Sequence, residues 1–245
     1  MNYWIKYIFT FLIIKKKQFD KLFFSLKKNE YTKFVILCAP RSGSNWLHTL
    51  LNSHAQIFSY GEILRRRFEK APTQVILPLD QLVFSPHQKQ VKAVGLKLFY
   101  HYLNENNYRQ SFQEIVNDTS IKIIHLTRKK TLEQYLSLIK AQESKKWSQS
   151  QSSTKFASIH INPNEFYEYK HNQSINEQAV LKVFEKHKIF TLTYEDLYSK
   201  PEGLLEELQL FLKVKPTKLF SLLTKQATGN FKDSILNWKD FEKRN

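Results

Sequence analysis

Short apolar runs alternate along this chain with stretches whose apolar positions recur at helical spacing. Phe34-Val35-Ile36-Leu37-Cys38 is too short for a buried helix and ends at Pro40-Arg41-Ser42-Gly43-Ser44, after which Asn45-Trp46-Leu47-His48-Thr49-Leu50-Leu51 takes up a helical period. That order predicts strand, turn, helix. Further strands are expected at Val91 to Phe99, which contains Gly95 and Lys97, and at Ile121 to Leu126, which leads into Thr127-Arg128. Ile189 to Thr193 reads as a fourth buried strand. A helix is predicted from Thr131 to Gln142, with Leu132, Tyr135, Leu136 and Ile139 on one face. Asn164 to Lys186 reads as helical with an interruption near Lys170 to Asn176, and Glu202 to Leu212 as an amphipathic helix. Strands alternating with helices predict a parallel sheet covered on both faces. The Ser-, Gln- and Lys-rich stretch Glu143 to Lys155 reads as an exposed loop and a candidate mobile lid.

Ahead of the first strand lies a different kind of segment. Tyr3 to Ile14 is largely apolar but interrupted by Lys6, spans only 12 residues and is followed by Lys15-Lys16-Lys17, whereas a membrane span needs about 20. Phe19, Leu22, Phe23 and Leu26 then recur at helical spacing. Three readings stay open for this lead: a basic amphipathic helix on an anionic membrane, a helix docked on the domain, or a signal sequence or short anchor, although no small-residue cleavage site follows it. The chain divides accordingly into residues 1–32, the lead, and residues 33–245, one α/β domain, because 245 residues suffice for one sizeable core and not for two catalytic domains.

Composition sharpens this. With 42% apolar and 14% aromatic residues the chain is a packed globule. The formal charge of +16, from 38 basic and 22 acidic residues, favours anionic partners such as nucleotides, nucleic acid, acidic glycans or anionic lipid without choosing among them. Most of the excess is dispersed lysine, which reads as solvated surface, and no recognition-helix or RNA-binding motif accompanies it. A basic nucleic-acid-binding protein is therefore an alternative rather than the first expectation. The single cysteine, Cys38, excludes an internal disulfide and a multi-cysteine zinc site, and lies in an apolar run where a buried thiol is inert. A reducing, cytoplasmic setting follows, at the inner face of a membrane if the lead binds there.

The turn after the first strand carries the chemistry. A glycine-bearing turn entering a helix points several backbone N–H groups at one place, and the helix dipole adds positive potential. The nucleoside-triphosphate version, G-x-x-x-x-G-K-[ST], needs a lysine after its second glycine, but here Ser44 follows Gly43. That disfavours a small P-loop kinase, the other alternative. The basic residue, Arg41, instead precedes the glycine by two, and Ser42, Ser44 and Asn45 supply polar side chains.

Ala39-Pro40-Arg41-Ser42-Gly43-Ser44-Asn45-Trp46-Leu47 resembles the 5'-phosphosulfate loop of sulfotransferases that use 3'-phosphoadenosine-5'-phosphosulfate (PAPS). Leu51 to Gln56 followed by Tyr60-Gly61-Glu62 resembles its continuation in bacterial carbohydrate sulfotransferases, with Ala55 where those usually have proline. The resemblance implies a three-layer α/β domain of P-loop type with a central parallel sheet, and PAPS as cosubstrate with no metal. It assigns Pro40, Arg41, Ser42, Gly43, Ser44, Asn45 and Trp46 to the 5' end of the nucleotide, and Arg128 with Ser137 to its 3'-phosphate. Ser137 lies nine residues after Arg128, where many members have eight and the branch with nodulation-factor sulfotransferases has this spacing. Lys129 is therefore a second candidate for that contact.

For catalysis the resemblance implies Arg41 and Lys97 at the sulfuryl group and Glu62 as the base, with His101 as the alternative base. His54 and His125 are read as satisfied histidines without a role. The segments Leu192 to Leu197, Pro201 and Leu210 to Leu212 resemble a structural part of the family. Phe231 to Trp238 lies where members have a flap over the nucleotide, but without their Arg-Lys-Gly. The expected acceptor is a hydroxyl of a carbohydrate or glycolipid, with no specific nucleic acid and with peripheral membrane association left open.

Overall fold

A computed structural model describes residues 27–28, 30–70, 77–144, 158–221, 223 and 231–242. Most of the 1–32 lead, and residues 145–155 of the expected lid, lie outside the described residues. Lys27–Lys28 (β1) is a short strand antiparallel to His87–Gln88.

The core grows from Thr32–Cys38 (β2), whose residues Phe34 to Cys38 are all 0% exposed. Side chains alternate across a strand, so a run buried on both faces needs cover on both. Burying each large apolar side chain contributes about 1.5–3 kcal/mol, which makes this run the anchor of the domain. Next come Ser44–Ser53 (α1), Ile57–Ser59 (β3), Ile63–Lys70 (α2), Leu79–Leu82 (α3), His87–Gln88 (β4) and Ala93–Phe99 (β5). Arg109–Asn117 (α4) leads to Lys122–Thr127 (β6) and Thr131–Ser144 (α5). Pro163–Val183 (α6), Ile189–Thr193 (β7), Tyr194–Ser199 (α7), Pro201–Phe211 (α8) and Lys239–Glu242 (α9) complete the order.

Five strands form one parallel sheet in the order β3-β5-β2-β6-β7. From β2 the chain thus goes to the edge strand β3, returns to lay β5 between them, and then crosses to β6 and β7 on the other side, and ligands of open α/β sheets bind at the strands' carboxyl ends where the order reverses. The fold is the expected three-layer α/β domain of P-loop type with a central parallel sheet. A second apolar cluster, with Tyr135, Leu136, Ile161, Phe166, Ile235 and Phe241, fastens α5 and α6 to the last described segment.

Three details depart from the expectation. The interruption near Lys170 to Asn176 is absent: α6 runs unbroken from Pro163, with Asn162 as its cap accepting from the Asn164 N–H at 3.0 Å. Its polar stretch instead faces water, His171, Asn172 and Ser174 being exposed, so no break is needed. β7 is an edge strand rather than a buried one, with Thr191 exposed and Leu192 buried. β3, only three residues long, extends the sheet beyond β5.

Candidate active site

The turn after β2 is built from two residues in the left-handed region, Arg41 at φ 61° and Gly43 at φ 88°. Glycine enters this region freely, whereas a side chain there costs of order 1–3 kcal/mol. A Cβ on Gly43 would also lie 2.4 Å from the Tyr194 ring. The turn delivers the chain into α1 with Gly43 as cap, no side-chain capping bond and no acidic residue in the first turn. The first-turn N–H groups of a helix lack intrahelical partners, so this end presents donors and positive potential to an anion.

Helix α5 fixes the turn from the side. Gln134, fully buried, donates to the Pro40 carbonyl at 2.7 Å, and Arg41 Nε donates to Ser137 Oγ at 3.0 Å. Residues three apart share a helical face, so one face of α5 holds both. Arg128, just past the end of β6, donates to the Arg41 carbonyl at 3.1 Å and stacks 4.7 Å over the Tyr194 ring. Burial, and then the neighbouring Arg128 guanidinium, pull the Arg41 pKa below the ordinary arginine value, with Glu62 opposing. Two cations side by side form a site for an anion. Two buried polar atoms here, Ser42 Oγ and Arg128 Nε, have no hydrogen-bond partner among the described residues.

Beyond β3 the backbone keeps its pairing: the Tyr60 N–H donates to the Gly95 carbonyl at 2.8 Å and the Lys97 N–H to the Gly61 carbonyl at 2.9 Å. Gly61, at φ 62°, turns the chain there against the His48 ring, 3.2 Å from where a Cβ would be. This sets Glu62 beside Lys97. Lys97 Nζ stands 2.6 Å from Glu62 Oε1, 2.6 Å from Asn45 Oδ1 and 3.3 Å from Ser44 Oγ. Arg65 Nε holds the other carboxylate oxygen, Oε2, at 2.6 Å. Burial pushes the Glu62 carboxyl up, but Lys97 and then Arg65 more than offset it and hold it below the ordinary carboxylate range.

His101 sits farther out, 43% exposed, stacked on Phe99 and 3.6 Å from Glu105. Burial lowers its pKa, while Glu105 and Glu62 oppose. Trp46 packs edge-on to Tyr194 at 6.0 Å. Lys129 reaches away, to Asp196 Oδ2 at 3.2 Å. His54 accepts from the Gln56 N–H and lies 3.0 Å from the Lys215 carbonyl, and His125 lies 2.8 Å from the Tyr100 hydroxyl and 3.3 Å from Glu177.

The structure therefore gathers Pro40, Arg41, Ser42, Gly43, Ser44, Asn45, Trp46, Arg128 and Ser137 around one turn, with Glu62 and Lys97 at its α1 side and His101 at the rim. Gln134, Tyr194 and Arg65 join them without having been singled out from sequence. The only signal for Gln134 is its position three residues before Ser137. Among the described residues no cluster of His, Cys, Asp and Glu is able to hold a metal ion.

A profile of the sulfotransferase domain matches residues 31–243. Nodulation protein H of Rhizobium tropici is 29% identical over 225 residues, 86% of this chain and 88% of that protein. Nodulation protein H of Rhizobium meliloti strain 1021 is 30% identical over 126 residues, 46% of this chain and 49% of that one. The crystal structure of a sulfotransferase from Alicyclobacillus acidocaldarius superposes with a TM-score of 0.51 at 14% identity, over 80% of this chain and 86% of that one, a likeness of fold.

Proposed function

This chain belongs to the sulfotransferase family, and we propose that it takes its sulfuryl group from PAPS and passes it to a hydroxyl of a carbohydrate or glycolipid. The residues present fit such a donor. Gly43 lets the turn take its left-handed bend with the Tyr194 ring packed against it, which leaves the first-turn N–H groups of α1 aimed at one place, and the unpartnered Ser42 Oγ and Arg128 Nε await acceptor atoms. In this reading Arg41 and the amides of the turn, with Ser42, Ser44 and Asn45, hold the 5'-phosphosulfate, Arg128 and Ser137 hold the 3'-phosphate, and Trp46 flanks the site.

The observation that carries the mechanism is the Lys97–Glu62 pair at 2.6 Å, bound to the turn through Asn45. The nucleotide supplies an activated sulfuryl group. The acceptor oxygen bonds to sulfur in line as the bond from sulfur to the bridging phosphate oxygen breaks, the hydroxyl proton passes to Glu62, and 3',5'-ADP leaves. In this reading Lys97 meets the negative charge that builds on the sulfuryl and bridging oxygens, and preorganised charge at that point lowers the barrier. The lysine also keeps Glu62 ionised and in position, while making it a weaker base than a free carboxylate. Glu62 is favoured over His101 as base because it touches Lys97, whereas His101 lies toward solvent.

Similarity to Nodulation protein H of Rhizobium tropici over most of the chain supports a carbohydrate-like acceptor. Labelled PAPS offered with saccharides, lipids and tyrosyl peptides tests both halves: label on a saccharide or glycolipid upholds the reading, and label on peptide alone overturns the acceptor. ATP binding as tightly as 3',5'-ADP in calorimetry would overturn the donor. The lead belongs to the same proposal as a membrane-surface helix near a glycolipid, and no helix among the described residues is long and apolar enough to cross a membrane. Unchanged membrane fractionation after deletion of residues 2–26 would remove that part.

A further inference from the structure

Arg128 is already engaged by a carboxylate. Its side chain is 10% exposed, and Nη2 donates to Glu133 Oε2 at 3.1 Å while Nη1 donates to the Arg41 carbonyl at 3.1 Å. Glu133 lies in the first turn of α5, 19% exposed, with its other oxygen 3.2 Å from Lys130 Nζ. A phosphate that comes to Arg128 therefore meets a carboxylate at the same guanidinium, and like charges sharing one cation oppose each other.

The two Arg128 contacts differ in how easily they give way. The bond to the Arg41 carbonyl belongs to the backbone of the turn and fixes its left-handed bend. The bond to Glu133 is made by a side chain that has Lys130, 63% exposed, as another partner. A phosphate with several acceptor oxygens outbids a single carboxylate for a guanidinium, so the Glu133 contact is the exchangeable one.

We infer that Glu133 is a built-in competitor for the 3'-phosphate of the nucleotide: it occupies Arg128 when no nucleotide is present and weakens Arg128's hold on the spent nucleotide. This rests on the reading that Arg128 faces the 3'-phosphate. Glu133 is a positioning and tuning residue, and touches no reacting atom. Its effect falls on the departure of 3',5'-ADP, a step that often limits turnover in well-evolved enzymes.

Calorimetry on the full chain with 3',5'-ADP and with AMP, which lacks the 3'-phosphate, tests it. Glu133→Gln keeps shape and removes charge, and is expected to tighten 3',5'-ADP roughly tenfold while AMP stays within about twofold, a charge-assisted contact being worth about one decade of affinity. Glu133→Ala should do the same, and both should lower kcat where nucleotide release limits it. A purely structural ion pair predicts the reverse, weaker binding of both nucleotides. Unchanged or weakened 3',5'-ADP binding, or equal tightening of AMP, overturns the inference. Arg128→Ala separates the two layers: loss of the preference for 3',5'-ADP over AMP upholds the 3'-phosphate reading, so that a failure of Glu133→Gln then counts against the competitor alone. A preference that survives Arg128→Ala overturns both.

Discussion

Lys97 Nζ and Glu62 Oε1 stand 2.6 Å apart, with the lysine side chain only 2% exposed and the carboxylate 15%. A buried charge that loses its partner is costly, so these two residues depend on each other for stability as well as chemistry. Lys97→Met should lower kcat about 10²- to 10³-fold, the usual cost of removing one charge-stabilising group, and should lower the unfolding temperature at neutral pH. Because the folded Glu62 pKa lies below its ordinary value of 4.5, the pair's stabilisation is fully present above pH 4.5 and is lost as pH falls through the lowered value. In Lys97→Met the acid limb of kcat/KM should move to higher pH. An unmoved limb in pH–rate profiles would sink the idea that Lys97 tunes the base.

Glu62→Gln preserves shape and removes the proton acceptor. Turnover should fall about 10²- to 10⁴-fold, the usual share of a general base, while calorimetric affinity for 3',5'-ADP survives. Retained turnover would move the role to His101, and His101→Gln would then carry the loss.

Gly43→Ala tests the turn. The new methyl meets the Tyr194 ring at 2.4 Å and the backbone stays at φ 88°, which should cost about 1–3 kcal/mol. We expect a lower unfolding temperature together with weaker 3',5'-ADP binding. Wild-type affinity in a folded variant would show that the turn does not shape the nucleotide site.

His48 supplies an acid-side signature of stability. Burial, then Lys97 and Arg66, push its pKa from 6.5 down to about 3, against Glu62. Between those values the unfolded chain holds a proton that the fold refuses, so stability falls as pH drops below about 6.5. Unfolding temperatures measured from pH 7 to pH 4 should decline less steeply in His48→Asn. An identical decline in both proteins would refute this account.

The turn was legible in the sequence because everything that defines it is local: an apolar run, a glycine, and Arg41 on the unexpected side of that glycine. Arg128 and Ser137 stood out only through the resemblance, one at a strand end and the other on the helix after it, and the structure sets both beside the turn. Pairings across the fold were not legible. Glu62 and Lys97 each stood out, yet their contact comes from a strand of three residues, β3, too short to carry a period. Tyr194 lies in a segment whose resemblance is to a structural part of the family, and only the approach of β7 to the turn gives it Gly43 and Arg128 as neighbours. The false break in α6 has the same origin, because a polar stretch inside a helix looks like a loop until one knows which side faces water.

The central place of β2 bears on how the chain is made. Both of its partners are synthesised after it, β5 ending at Phe99 and β6 at Thr127. An apolar strand with two open edges thus waits through the synthesis of most of the sheet, which at cellular elongation rates takes roughly 5–20 s. During that interval it is most exposed to pairing with other nascent chains. Ribosome-bound chains stalled between Cys38 and Thr127 should therefore self-associate more than chains carried past Thr127, and equal sedimentation of the two would refute this account.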